Sequence, residues 1–299
     1  MDDVTDTVFR QIVADIAPPD LYFTEFVNVD GLQSPGRPRL LPKLQFSQKE
    51  RPIVAQLWGL KPENFKKTAA GVKAMGYDGV DLNMGCPVKT VVKNGACAAL
   101  INNRELAKEI ILATREGVGD DFPVSVKTRV GFTTVDLSWV EFLLNLKILD
   151  LLSIHGRTAK QLSKVPANWD LIGQARQMRD DLCPATLIAG NGDIKSCRQG
   201  EELVAKYKLD GAMIGRGIFD DPFTFAKDSP WSDWGKDKKM NLYRKHVELF
   251  AKTWQKNERR IETLNKFCKI YINGFDGAKE MREHLMAAKS TDELLGLLN

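Results

Sequence analysis

Val124-Ser125-Val126-Lys127-Thr128-Arg129 is the stretch on which the fold turns. It is short, apolar and β-branched, which reads as a strand, and a helix-like stretch, Asp136–Leu146, follows it. The alternation repeats in both directions. Further strand-like runs lie at Leu21–Val27, Ile53–Leu57, Gly79–Met84, Leu151–Ile154, Thr186–Ala189 and Gly211–Ile214. Helix-like stretches fall between them at Pro62–Met75, Arg104–Glu116, Trp169–Arg179 and Lys195–Tyr207. Strands that alternate with helices predict a parallel sheet with right-handed crossovers.

These runs make seven strands, one fewer than a TIM (β/α)8-type barrel requires. The opening residues, Met1-Asp2-Asp3-Val4-Thr5-Asp6-Thr7, read as a loop entering a helix, with Thr5 or Asp6 as the N-cap. The expected architecture is therefore an α/β chain of the TIM (β/α)8-barrel type that lacks its first strand, through truncation or a misassigned start. A seven-stranded open sheet is the alternative.

Past Asp221-Pro222 the pattern changes. Ser229-Pro230-Trp231-Ser232-Asp233-Trp234-Gly235 reads as a polar, turn-rich linker. Beyond it come only helical patterns, Met240–Lys256, Glu262–Ile272 and Ala278–Ala288. The expected division is a barrel over residues 1–235 and a small all-helical domain over 236–299.

The net charge of +4 is unevenly spread. Residues 236–299 hold 14 Lys and Arg against 9 Asp and Glu, a net of +5, and the remainder is nearly neutral. A basic tail suggests a polyanionic partner; a solvated helical surface is the other reading. With 43% hydrophobic residues the chain can bury a sizeable core. No apolar run approaches the ~20 residues of a membrane span, and the acidic N-terminus does not read as a signal peptide, so a cytoplasmic protein is expected. The cysteines, Cys86, Cys97, Cys183, Cys197 and Cys268, are odd in number and form no CxxC pair, which argues against disulfide and zinc frameworks. No metal site is expected.

Barrels place their chemistry at the C-terminal ends of the strands. Here those ends carry Gln56, then Asn83 and Cys86, then Lys127 and Arg129, then His155 and Arg157, then Asn191 and Asp193, then Arg216. The last two strands run into Gly190-Asn191-Gly192-Asp193 and Gly215-Arg216-Gly217. Glycine lets backbone N–H groups approach an anion closely, and the final two loops of a barrel are a common phosphate site. Lys127, inside an apolar strand, is satisfied if it faces the mouth beside an anionic cofactor. His155 ends its strand before Gly156-Arg157-Thr158, which favours a ligand contact. Cys86 lies in a tight loop between Gly85 and Pro87, and its thiol can serve as a general acid or as a nucleophile paired with His155. Cys97, in a stretch of small residues, reads as packing.

Together these residues closely resemble the tRNA-dihydrouridine synthases, FMN-binding barrels with a helical C-terminal domain. The resemblance covers nearly the whole chain. It rests on Val4-Thr5-Asp6 with Phe9-Arg10, Ala55-Gln56-Leu57, Asn83-Met84-Gly85-Cys86-Pro87, Lys93 through Leu100, Val126-Lys127-Thr128-Arg129, His155-Gly156-Arg157-Thr158 and the two glycine turns. The resemblance implies reduction of the uridine 5,6 double bond in tRNA by FMN, itself reduced by NADPH or NADH. It implies Cys86 as the acid that protonates carbon 5. It implies Gln56, Lys127 and His155 as flavin contacts, Asn191, Gly192, Asp193, Gly215 and Arg216 on the phosphate side, and Asn83 and Arg129 beside the uracil. Arg259, Arg260, Lys266, Lys269 and Arg282 are expected to grip RNA phosphates; Phe267 and Tyr271, interleaved with them, read either as part of that surface or as helix core. A monomer is expected.

Two places depart from the family pattern. Met1 stands where the family's opening strand ends in Ala-Pro-Met, and Ser163 and Val165 stand where a Tyr and a Gly usually precede Ala167-Asn168-Trp169. The alternatives are an FMN barrel oxidoreductase acting on a free pyrimidine, in the manner of dihydroorotate dehydrogenases, and a flavin-deficient tRNA-binding protein.

Overall fold

The structure is a computed structural model that describes residues 1, 3–256, 258–265 and 267–298. Helix α1 (Thr7–Ile16) opens with Asp6 as its N-cap, the Asp6 carboxylate accepting from the Phe9 amide at 2.9 Å. The sheet then follows as β1 (Tyr22–Phe23), β2 (Val27–Asn28) and β3 (Ile53–Trp58), with α2 (Pro62–Ala74) leading to β4 (Gly79–Asn83). Helix α3 (Arg104–Val118) leads to β5 (Val124–Arg129), α4 (Leu137–Asn145) to β6 (Leu151–His155), and α5 (Trp169–Leu182) to β7 (Leu187–Asn191). Helix α6 (Cys197–Tyr207) leads to β8 (Gly211–Met213).

All strand pairs are parallel. Strands β1 and β2 both pair with β3, and the sheet continues through β4, β5, β6 and β7 to β8. It therefore fills seven barrel positions, the (β/α)8 pattern less its first strand. Among the described residues, β8 does not pair with β1 or β2.

The single strand expected over Leu21–Val27 is split in two. From Phe23 to Val27 the chain takes four steps, while its partner takes three from Val54 to Leu57, so one residue is extra. At the break the Thr24 hydroxyl accepts from the Gln56 amide at 3.0 Å, replacing a ladder bond. Such a bulge re-aims the side chains beside it. The neighbour, Glu25, is wholly buried.

Two-residue periodicity sorts the sheet into two faces. Ala55, Leu57, Val80, Leu82, Val124, Val126, Leu152, Ile154 and Ile188, all buried, share the parity that meets the helices. The opposite parity carries polar groups in staggered rows. Register aligns Gln56 with Asp81 and Ser125, Asn83 with Lys127 and Ser153, and Arg129 with His155, Asn191 and Met213. Lys127 thus faces the interior of the sheet, as its strand position implied.

Helices α2 and α3 cross closely at Gly117, where an added Cβ would lie 2.3 Å from the Lys66 carbonyl oxygen. Replacing a helical glycine by alanine ordinarily gains ~1 kcal/mol. At Gly117 the sign reverses, because backbone must move to admit the methyl. Gly117→Ala is expected to lose about 1–3 kcal/mol, read as a lower thermal midpoint; an unchanged or raised midpoint would mean that the helices part without cost.

After the sheet come helices α7 (Lys236–Thr253), α8 (Ala278–Ala287) and α9 (Thr291–Leu297), with short turns at Glu262–Asn265 and Cys268–Tyr271. The helical stretch expected over Glu262–Ile272 is thus two turns rather than one helix, and α9 lay outside the sequence reading. Beyond Lys236 no described residue is in a strand. Helix α7 packs on α1 through an aromatic stack in which Phe9 meets His246 at 5.9 Å and Phe267 at 4.8 Å between ring centres.

Three expectations about this region are refined or corrected. The polar turn Ser229–Gly235 is exposed at Ser232, Asp233 and Gly235 but is anchored rather than free, since Trp231 is buried among Phe223, Trp234 and Tyr271. Phe267 and Tyr271 are buried core residues and cannot interleave with RNA. Arg259 is buried too, its guanidinium on Glu25 and Asp3, and the Arg282 guanidinium donates to the Ile272 carbonyl at 2.7 Å. Arg260 and Lys269 are exposed, and Lys266 lies outside the described residues.

Candidate active site

The loop after β4 is tied down on three sides. The Asn83 carboxamide oxygen accepts from the amides of Gly85 at 3.2 Å and Cys86 at 2.9 Å. Arg129 Nε donates to the Gly85 carbonyl at 2.7 Å, and the Ala98 amide donates to the Cys86 carbonyl at 3.3 Å. Gly85 must be small, because a Cβ there would stand 3.2 Å from the Thr128 backbone. The Cys86 thiol is half-buried at the end of this loop. Cys97 is fully buried, in keeping with a packing role.

Beneath the loop, Gln56 joins Asn83, whose Nδ2 donates to Gln56 Oε1 at 3.0 Å. Lys127 Nζ donates to Asn191 Oδ1 at 2.9 Å, and Asn191 Nδ2 donates to the Met213 carbonyl at 2.7 Å. Among the described residues no carboxylate lies within ion-pair distance of Lys127. Burial, with Arg129 next, lowers Lys127 to about 8; Asp81 and the charge that Cys86 can carry oppose the shift. Burial lowers Arg129 to about 10, with Cys86 again opposing. Both cations therefore sense Cys86.

His155 Nδ1 lies 3.3 Å from Arg129 NH1. An arginine nitrogen can only donate, so Nδ1 accepts and the proton resides on Nε2. Burial, then Lys127, Arg129, Arg157 and Arg216, push His155 down to about 2, so it stays neutral. Its Nε2 faces the glycine turn, 3.5 Å from where a Cβ on Gly192 would stand.

That turn uses left-handed backbone at Gly192 (φ +129°) and Asp193 (φ +58°). A Cβ on Gly192 would stand 2.5 Å from Ala167 Cβ. The Asp193 carboxylate is taken up by Arg157 and the Ala167 amide, the latter at 2.9 Å. Burial would raise its pKa, but the Arg157 hydrogen bond and the Ala167 amide outweigh it and hold the carboxyl below the usual range. Arg216 touches Asp193 only at 3.8 Å and is exposed; a Cβ on Gly215 would meet nothing. Arg157 NH1 is buried without a hydrogen-bond partner.

Register and hydrogen bonds join Gln56, Asn83, Lys127, Arg129, His155 and Asn191 at the C-terminal strand ends, while Gly215 and Arg216 lie beyond β8 with only the 3.8 Å approach of Arg216 to Asp193. Asp81 and Ser125 were not among the expected site residues, and Arg157 was placed only among the polar strand ends. For Asp81 the signal was present, a carboxylate two residues before Asn83 in an apolar strand. No group of three or more His, Cys, Asp or Glu suited to a metal ion occurs among the described residues. No helix among them is long and apolar enough to cross a membrane.

The dihydrouridine synthase (Dus) family model matches residues 1–299. The chain belongs to that family. Its relatives include the probable tRNA-dihydrouridine synthase 2 of Bacillus subtilis, 43% identical over all of this chain and 91% of that protein. A probable tRNA-dihydrouridine synthase of Staphylococcus aureus is 44% identical over all of this chain and 90% of that protein. Among solved structures, histamine dehydrogenase from Rhizobium sp. 4-9 shares the fold with a TM-score of 0.55 at 14% identity, over 81% of this chain and 46% of that one. The full-length family match selects the dihydrouridine synthase reading over the free-pyrimidine barrel and makes the chain an oxidoreductase.

Proposed function

We propose that this chain reduces the 5,6 double bond of uridine in tRNA, with FMN as cofactor, NADPH or NADH as reductant and Cys86 as proton donor. The observation that carries the reading is the pairing of a pinned cysteine loop with a mouth rich in cations and poor in anions. Lys127, Arg129, Arg157 and Arg216 gather there, and the carboxylates near them, Asp193 on Arg157 and Asp81 on Gln56 and Ser125, are already engaged. Such a mouth suits an anionic cofactor. The Gly192 and Gly215 turns leave room for a phosphate to approach the backbone, and the His155 Nε2–H and Arg157 NH1 are donors on that side.

When bound, reduced FMN supplies hydride to carbon 6 of the uracil. Cys86 supplies the proton to carbon 5, and its thiolate is stabilised by Lys127 and Arg129. Gln56 and Lys127 orient the flavin ring, while Asn83 and Arg129 hold the loop and face the base. Asp193 acts through its backbone, since its carboxylate is committed to Arg157. The target base leaves the RNA stack to reach this mouth. Exposed Lys89 and Lys93 beyond Cys86, and Lys160 and Lys164 after β6, offer cations to the RNA backbone. We assign residues 1–235 to the catalytic barrel and 236–299 to a helical tRNA-recognition domain, its RNA contacts made by exposed side chains such as Arg260 and Lys269.

Purified protein tests the proposal. It is expected to carry flavin and to reduce uridine in unmodified tRNA when NADPH or NADH is supplied. Activity confined to free pyrimidines, or colourless protein that only binds tRNA, would replace it.

Lys127 gives a pH test. It is cationic below about 8 and neutral above. The FMN phosphate, with its second pKa near ~6, is already fully charged over that range. FMN affinity of the flavin-free protein is therefore expected to fall as pH rises through about 8, measured by fluorescence quenching, and Lys127→Met is expected to flatten the profile. A flat wild-type profile would take Lys127 away from the flavin.

A further inference from the structure

We propose that Asp81 is a positioning residue that sets the direction of the Gln56 and Asn83 amides and so holds the loop that carries Cys86. The inference rests on Cys86 as the acid. Asp81 lies inside the sheet in β4, wholly buried. Its Oδ2 accepts from Gln56 Nε2 at 2.7 Å and its Oδ1 from the Ser125 hydroxyl at 2.6 Å. Burial raises it to about 6, opposed by the Ser125 and Gln56 hydrogen bonds and by Lys127, so it is ionised at neutral pH.

An ionised carboxylate has acceptors only. Gln56 must therefore present its NH2 group to Asp81 and its carbonyl to the other side. That carbonyl accepts from Asn83 Nδ2, which leaves Asn83 Oδ1 to face the loop. There it takes the Gly85 and Cys86 amides. Each carboxamide is two-faced and fits the site in either sense by shape. Reversing one would set donor against donor at the next contact, at the cost of a buried unsatisfied group. Two ends of the chain cannot be reversed, the Gly85 and Cys86 amides, which can only donate, and Asp81, which can only accept; Asp81 is the end that a side-chain substitution can change, and without it Gln56 has no carboxylate to hold its NH2 group toward β4.

Asp81→Asn can keep the direction, with Oδ1 toward Gln56 and its amide toward the Ser125 hydroxyl. Asp81→Leu cannot. Flavin reoxidation by tRNA in Asp81→Leu is expected to slow by about 10–100-fold, the scale of a misplaced catalytic group, with flavin reduction by NADPH slowed far less. Alkylation of Cys86 by iodoacetamide is expected to change in rate, and Asp81→Asn to recover most of both losses. Because the leucine variant can fail to fold, the near-isosteric double variant Asp81→Asn/Ser125→Ala carries the same test. Losing the hydroxyl frees the introduced carboxamide to turn, so the effect of the double variant is expected to exceed the product of the two single effects.

A strictly multiplicative double variant, or a soluble Asp81→Leu that slows both half-reactions equally, overturns the proposal. Cys86→Ala is measured alongside. If it reoxidises normally, the acid assignment has failed, and the iodoacetamide rate alone then decides whether Asp81 holds the loop.

Discussion

With Cys86 replaced by Ala, uridine reduction in tRNA is expected to slow by about 10²–10⁴-fold, the usual worth of a positioned general acid. The substitution removes the proton donor and keeps the backbone contacts of the loop. Loop geometry depends on the Cys86 backbone, through its amide to Asn83 and its carbonyl from Ala98, and alanine keeps both. Lys127 keeps its hydrogen bond to Asn191, and Gln56 keeps those to Asp81 and Asn83. Flavin content and reduction by NADPH are therefore expected to stay close to wild type. Rapid-mixing measurement of flavin reoxidation by tRNA isolates the affected step. A rate within a few-fold of wild type would remove the acid assignment, and loss of flavin would give Cys86 a structural part instead.

The second large effect is one of stability, and it lies far from the mouth. Arg259→Ala is expected to destabilise the fold by about 3–5 kcal/mol, the scale for removing one partner of a buried ion pair. Glu25 has no exposed surface, and Arg259 NH1 lies 3.2 Å from its Oε1, with NH2 on Oε2. The same guanidinium reaches Asp3 at 3.3 Å and sits over the Trp254 ring. Trp254 Nε1 donates to Asp6, the cap of α1. Among the described residues Arg259 is the cation shown paired with Glu25, so its loss strands a buried carboxylate. Arg259→Ala with Glu25→Gln is expected to cost less than Arg259→Ala alone, since the stranded charge is gone. Urea denaturation of the flavin-free proteins measures both; a loss below about 1 kcal/mol for Arg259→Ala would mean that Glu25 finds water or another partner.

Arg259 also marks where sequence reading stopped. In the chain it is one of several tail cations, and nothing local separates it from the exposed Arg260. Its partner, Glu25, is 234 residues away. Pairing at that distance is set by how α1 and the helical tail pack, and no periodicity records it. Glu25 itself is aimed by the one-residue bulge between β1 and β2, which the expected continuous strand did not contain.

The site was more legible, because its residues obey the strand period. Gln56, Asn83, Lys127, His155 and Asn191 could each be placed at a strand end from local pattern alone, and parallel register then brings those ends together. Asp81 obeys the same period, but a buried carboxylate shows its use only through its partners, Gln56 from β3 and Ser125 from β5.

By itself the sequence determined the alternation of strand and helix, a helix cap at Thr5 or Asp6, the polar strand ends and the family. Those depend on propensity and spacing over a few residues, which the chain carries locally. Only the tertiary structure decided which way the amides of Gln56 and Asn83 point, that the Asp193 carboxylate belongs to Arg157, and that Arg259 is a buried clamp rather than an RNA contact. Each of those is a choice of partner between distant segments, made by packing and by the cost of leaving a buried polar group unpaired.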